Sequence, residues 1–173
     1  MKRFILLILI ALTALPAVVA ECRCDSVRLT YKLHGQTRRF DMVFEHGDDG
    51  SIRVDWAIER NLRMWHGSYT MSPPAVSSAR KISYIMPEDG NHIVLGDDET
   101  FAIISREALE DLRKGQMRWA STVYRLDSAA DGVLQATDTA EGARITVLDD
   151  PAFPLILSMS DNPLEINWTA TPL

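Results

Sequence analysis

The sequence predicts a mainly β, single-domain protein, an antiparallel barrel or sandwich with one short docked helix over about residues 105–115. Two observations predict the sheet. Apolar and polar residues alternate with a period of two in segment after segment, and Gly- and Asp-containing turns separate those segments at short intervals. A third observation limits the helices: only one stretch combines a helical apolar stripe with signals at both ends. Regular turn spacing with so little helix favours a barrel or sandwich over an alternating α/β fold.

The chain opens on an export signal. Lys2 and Arg3 precede an apolar run from Phe4 to Leu15, Pro16 stops it, and Val18-Val19-Ala20 ends on a small residue suited to cleavage. The run is too short for a spanning helix, which needs about 20 residues. The expected organisation is therefore a signal peptide at 1–20, a tail at 21–26 and one β-rich domain at 27–173, exported to the periplasm or beyond. No transmembrane span is expected after cleavage.

Removing that signal loses two positive charges and no acid, taking the formal charge from −6 to −8. Such a chain disfavours nucleic acid and anionic lipid surfaces, which select for net positive patches. Its length suits a domain that buries a full core without covalent staples.

The tail holds the only cysteines, Cys22 and Cys24. A bridge between residues two apart would be strained and readily reduced, so a redox role is one reading of the pair. Free thiols, intermolecular disulfides and lipid attachment at Cys22 are the others. Lipidation is disfavoured because acidic Glu21 stands where a small residue is wanted. A metal site lacks further ligands nearby.

Along the mature chain, Val27, Leu29, Tyr31 and Leu33 alternate with polar residues as a first strand, and His34-Gly35-Gln36 turns it. Phe40, Met42 and Phe44 form a second. Gly47-Asp48-Asp49-Gly50 leads into the cleanest alternation in the chain, Ile52, Val54, Trp56 and Ile58. Asn61 to Met71 has apolar residues on both parities, predicting either burial on two faces or a bulge around Gly67.

Ser72 to Ala79 reads as one or two helical turns or a loop. Lys81 to Met86, His92 to Leu95 and Thr100 to Ile104 follow as short strands. Ser105 caps the predicted helix, Ile104 and Leu109 stand at staple positions, and Ala108, Leu109 and Leu112 form its stripe. Arg113 and Lys114 complement its carboxyl end, which Gly115 terminates. Such a short helix must dock on the sheet to survive. The remaining strands are expected at Gln116 to Leu126, Gly132 to Ala136, Ala143 to Leu148, Phe153 to Ser160 and Leu164 to Thr169, for about eleven in all.

No catalytic or cofactor motif stands out, and no cofactor is expected. There is no Gly-x-Ser-x-Gly elbow, phosphate loop or dinucleotide fingerprint. His34, His46, His66 and His92 are scattered at turns and strand ends without metal-ligand spacing. The acidic pairs Asp48-Asp49, Asp97-Asp98 and Asp149-Asp150 lack the alternating ligands of a calcium loop, and turn formation explains them. Aromatics are the better lead. Trp65 and Tyr69 on the two-sided segment, with Trp119 nearby in type and His66 as a polar handle, are the expected ligand-binding residues. The competing expectation is that the helix at 105–115 simply covers them.

Near the end, Val147-Leu148-Asp149-Asp150-Pro151-Ala152-Phe153-Pro154-Leu155-Ile156 and Asp161-Asn162-Pro163-Leu164-Glu165-Ile166-Asn167-Trp168 resemble the closing segment of uncharacterised exported proteins of Bacteroidales-type Gram-negative bacteria. That resemblance implies compartment and lineage, with no activity. The prolines at 151, 154 and 163 predict short strands at a sheet edge or barrel mouth. The sequence thus leads to a non-catalytic envelope protein that binds a small apolar ligand or another envelope protein. A hydrolase-like enzyme assembled only in three dimensions and an assembly protein linked through Cys22 or Cys24 are the alternatives.

Overall fold

A computed structural model describes residues 24–33, 35–84, 87–161 and 164–173. The expected signal peptide, Cys22 and the side chain of Cys24 lie outside the described residues, as does His34. Four strands open the domain: β1 (Cys24–Leu33), β2 (Gln36–His46), β3 (Ile52–Arg60) and β4 (Arg63–Met71). Then come α1 (Pro73–Ser78), β5 (Lys81–Ile82), β6 (Asn91–Val94), β7 (Glu99–Thr100) and α2 (Arg106–Arg113). A second run follows with β8 (Gln116–Trp119), β9 (Thr122–Ala130), β10 (Val133–Asp138), β11 (Arg144–Leu148), β12 (Ile156–Ser160) and β13 (Asn167–Pro172).

Eleven of these strands form one sheet in the order β6-β4-β3-β2-β1-β13-β12-β11-β10-β9-β8. The two runs meet at its centre, where Val27 to Lys32 pair with Pro172 to Asn167. Strands β6 and β8 are its open edges, so the mainly β expectation holds as a sandwich-like single domain and not as a closed barrel. The inner face is covered instead by α1, α2 and the β5–β7 ribbon, all contributing to one apolar core.

Alternation drives this arrangement. On β3, Ile52, Val54, Trp56 and Ile58 are buried while Arg53 and Asp55 face out and bond each other at 2.8 Å. Outside β1 and β2, Arg28 holds Asp41 through both carboxylate oxygens, at 2.7 and 2.9 Å. Exposed pairs of this kind contribute at most about 1 kcal/mol each. Burial of the inward row stabilises the sheet far more, at about 25 cal/mol for each Å² of apolar surface.

Helix α2 matches its expectation closely. Ser105 Oγ accepts from the Ala108 amide, and Ala108, Leu109 and Leu112 are its buried residues. The stripe docks on β8 and β9 and against α1. The 72–79 segment does form a helix, α1, with Ser72 as cap and prolines in its first turn.

Several expectations change. Strand β4 carries no bulge, because its register with β3 runs unbroken from Met71↔Ile52 to Arg63↔Arg60. Nor is it apolar on two faces: Leu62 is 94% exposed in the turn and Met64 51% exposed on the outer face. Gln116 to Leu126 is a hairpin, turned by Ala120 and Ser121 at positive φ (51° and 67°), residues that ordinary turn chemistry does not flag. Pairing is not wholly antiparallel, since β6 runs parallel to β4 and β5 to β7. The proline-rich end forms β12 and β13 near the middle of the sheet and not an edge. Pro151 and Pro154 precede β12, where they remove no ladder donor.

Candidate functional site

Strand register stacks the inner side chains in rows across the central strands. One row reads Pro172, Val27, Met42, Trp56 and Gly67, and the next Asp25, Phe44, Val54 and Tyr69. Across the rows of this inner face, each of five neighbouring strands contributes one aromatic ring to a continuous arc. Trp168 of β13 lies 5.5 Å from Tyr31 of β1, Tyr31 5.4 Å from Phe40 of β2, Phe40 6.5 Å from Trp56 of β3, and Trp56 6.1 Å from Tyr69 of β4. Phe101, from the segment between β7 and α2, closes over Tyr69 at 4.7 Å. At the other end Tyr84 approaches Trp168 at 6.3 Å and sets its hydroxyl 3.6 Å from the Met159 sulfur.

Most of the arc is fully buried, but Tyr31 is different. It faces inward between Trp168 and Phe40, yet it is only partly buried against the core. The inner face is therefore not fully covered beside it. Tyr84 and Trp65 are likewise incompletely buried against the core, together with Ile82 and Ile166.

A close approach fixes the floor of the arc. The Trp56 indole packs against Gly67, where a Cβ would come closer than 3.0 Å to Cζ2 and Cε2 of the ring and to the Asn91 carbonyl oxygen. This explains the glycine that the sequence associates with a bulge. The Trp56 Nε1 donor is buried with no hydrogen-bond partner. Leaving such a donor unmatched costs about 1–3 kcal/mol.

No protein-family model, curated protein or solved structure matches the chain. Its chemistry rests on its own geometry.

The residues singled out from sequence do not form one cluster. Tyr69 is 3% exposed in the arc, with Phe101 packed against it. Trp65 shares the inner face of β4 at its open end, where the Arg60 guanidinium sits 4.8 Å above its ring. His66 is on the opposite, outer face and exposed, its amide donating to Asp89 Oδ1 at 3.0 Å. Trp119 is fully buried on β8 beside Tyr124, at 6.0 Å, with Nε1 unpartnered. Alternation marks Tyr31 as inward-facing but gives no sign that it stays only partly covered. Tyr84 reaches the arc only through the tertiary path of the chain after β5.

Other groupings offer less. Ser68 Oγ lies 2.8 Å from His92 Nδ1, across the parallel pairing of β4 and β6. Ser68 is buried, and among the described residues no carboxylate bonds to that imidazole. Nor do three His, Cys, Asp or Glu side chains among the described residues converge as metal ligands. No helix among the described residues is long and apolar enough to cross a membrane.

Low polarity shows in the phenols of the core. Burial pushes Tyr69 and Tyr84 up to about 12, and it raises Tyr31 and Tyr124 as well. Folded-state values above the unfolded value of about 10 mean that the native chain holds these protons more tightly. Stability is therefore untouched below about pH 10 and falls as pH rises from there through about 12. In an alkaline titration, tyrosinate absorbance is expected to rise together with the loss of near-ultraviolet circular dichroism. Ionisation of all four tyrosines near pH 10 with the fold intact would contradict this burial.

Proposed function

We propose that this chain is an exported, non-catalytic envelope protein that binds a small ligand with an apolar chain, lodged against the aromatic arc. Tyr31 carries the reading: an inward-facing aromatic ring that keeps accessible surface in the middle of the sheet offers an apolar wall for hydrocarbon. The unmatched indole donor of Trp56 supports it, since a lone polar group in an apolar pocket can orient a ligand. Every methylene moved from water and buried against such a wall contributes about 0.8 kcal/mol.

The test uses the exported chain purified and freed of co-purifying lipid, titrated with an apolar naphthylamine fluorophore. Saturable binding at one site per molecule is expected, with quenched tryptophan emission. Tyr31→Trp, which puts a bulkier ring at that wall, is expected to weaken that binding at least tenfold while thermal unfolding stays within a few degrees. Unsaturable binding, or affinity indifferent to residue 31, would overturn the reading.

A further inference from the structure

We infer that the ligand is an amphiphile whose head group is an anion, read by a row of arginines beside the arc; this rests on the apolar-chain reading above. The row follows from register. Arg38 stands directly across from Tyr31 in the β1–β2 pairing, and Arg63 across from Arg60 in the β3–β4 pairing. Continuing the β2–β3 register from Asp41↔Ala57 sets Arg38 opposite Arg60. All three therefore project on the side of the sheet that carries the aromatic arc, one step outward from Phe40, Ile58 and Trp65.

Such a row is unfavourable by itself, because like charges directly across a strand pair repel. Acidic side chains are abundant in this chain, 24 against 18 basic ones, and they pair readily elsewhere. Arg28, Arg53, Arg80, Arg113 and Arg144 each hold a carboxylate. Arg38, by contrast, donates to the Gln36 side-chain oxygen at 3.2 Å, and Arg60 sits over the face of Trp65. Among the described residues none of the three has an acidic partner.

A groove of about 870 Å³ lies at this end of β2 and β3, walled mainly from the outer face by Arg28, Arg39, Asp41 and Glu59; Arg38 and Arg60, of inward parity, also line it, and no ring of the arc does. Its two carboxylates are Asp41, already held by Arg28, and Glu59, which faces outward from β3. Guanidinium groups offer paired donors that match carboxylate and phosphate oxygens in plane. An acyl or alkyl chain against Tyr31 would place its head beside Arg38, since the two side chains are cross-strand neighbours. The shared chemistry is thus a single-chain anionic amphiphile, carboxylate or phosphate.

The experiment compares dodecanoate, dodecyl phosphate and dodecanol, the anions below their micelle thresholds and the alcohol below its solubility limit, by calorimetry with the full exported chain. Both anions are expected to bind at least tenfold more tightly than the alcohol, and the tighter of the two identifies the head group. In the triple variant Arg38→Gln, Arg60→Gln, Arg63→Gln, that preference is expected to vanish while dodecanol binds as before. The variant's unfolding temperature is expected to hold or rise, since repulsion is relieved. Equal affinity for all three probes, or a preference that survives the triple variant, would overturn the anion inference and leave the apolar-chain reading standing. Failure of all three to bind would overturn both.

Discussion

Replacing Gly67 by alanine is expected to destabilise the fold by about 3 kcal/mol, at the upper end of what overpacking a core costs. The added methyl would come closer than 3.0 Å to two atoms of the Trp56 ring and to the Asn91 carbonyl oxygen. Neither neighbour can yield easily. Trp56 is 2% exposed and stacked on Tyr69, and Asn91 belongs to β6, whose parallel ladder begins at the Gly67↔Asn91 pair. For a domain of this size the shift corresponds to roughly 6–12 °C in unfolding temperature. Adding Trp56→Leu to Gly67→Ala should cost less than the two changes summed, because the clash with the ring is shared between them. Simple additivity, or an alanine variant that melts with the parent, would contradict the geometry. The same change should also weaken fluorophore binding, because tilting Trp56 displaces the middle of the arc.

Leu112→Ala in α2 is expected to cost a similar amount, about 3 kcal/mol for a buried leucine that leaves a cavity behind. Leu112 is fully buried, and α2 is too short to persist without the contacts its stripe makes on β8 and β9. Glu110→Ala on the exposed side of the same helix should remain within about 0.5 kcal/mol of the parent. Chemical denaturation of the two variants measures both values. Equal midpoints would show that the helix is held by its own propensity and not by docking. Ligand affinity should change little in Leu112→Ala, since α2 covers β8 and β9 while the arc runs from β13 to β4. The two substitutions thereby separate general stability from the integrity of the candidate site.

Much of the local structure is legible in the chain. Ser105, the Ala108-Leu109-Leu112 stripe and Arg113 announce α2, because capping and helical periodicity act within a dozen residues. The alternation from Ile52 to Ile58 announces β3 and its buried face in the same way. The hairpin at Ala120 and Ser121 is silent, since those residues adopt positive φ only because the strands on either side compel it. Gly67 and Met64 mislead for a related reason. A glycine made necessary by a ring from the next strand looks like a bulge, and an exposed methionine looks like a second apolar face.

By itself, the sequence determined the β class, the inward parity of Tyr31 and Trp56, and the place of α2, all products of short-range periodicity and capping. Tertiary structure decided that the sheet stays open, that β1 and β13 meet at its centre, and which inward residues become neighbours. The arc from Trp168 to Tyr69 and the arginine row from Arg38 to Arg63 exist only once register is set between strands. Periodicity tells each strand which side faces in. Only pairing across long sequence separations tells it what lies beside it.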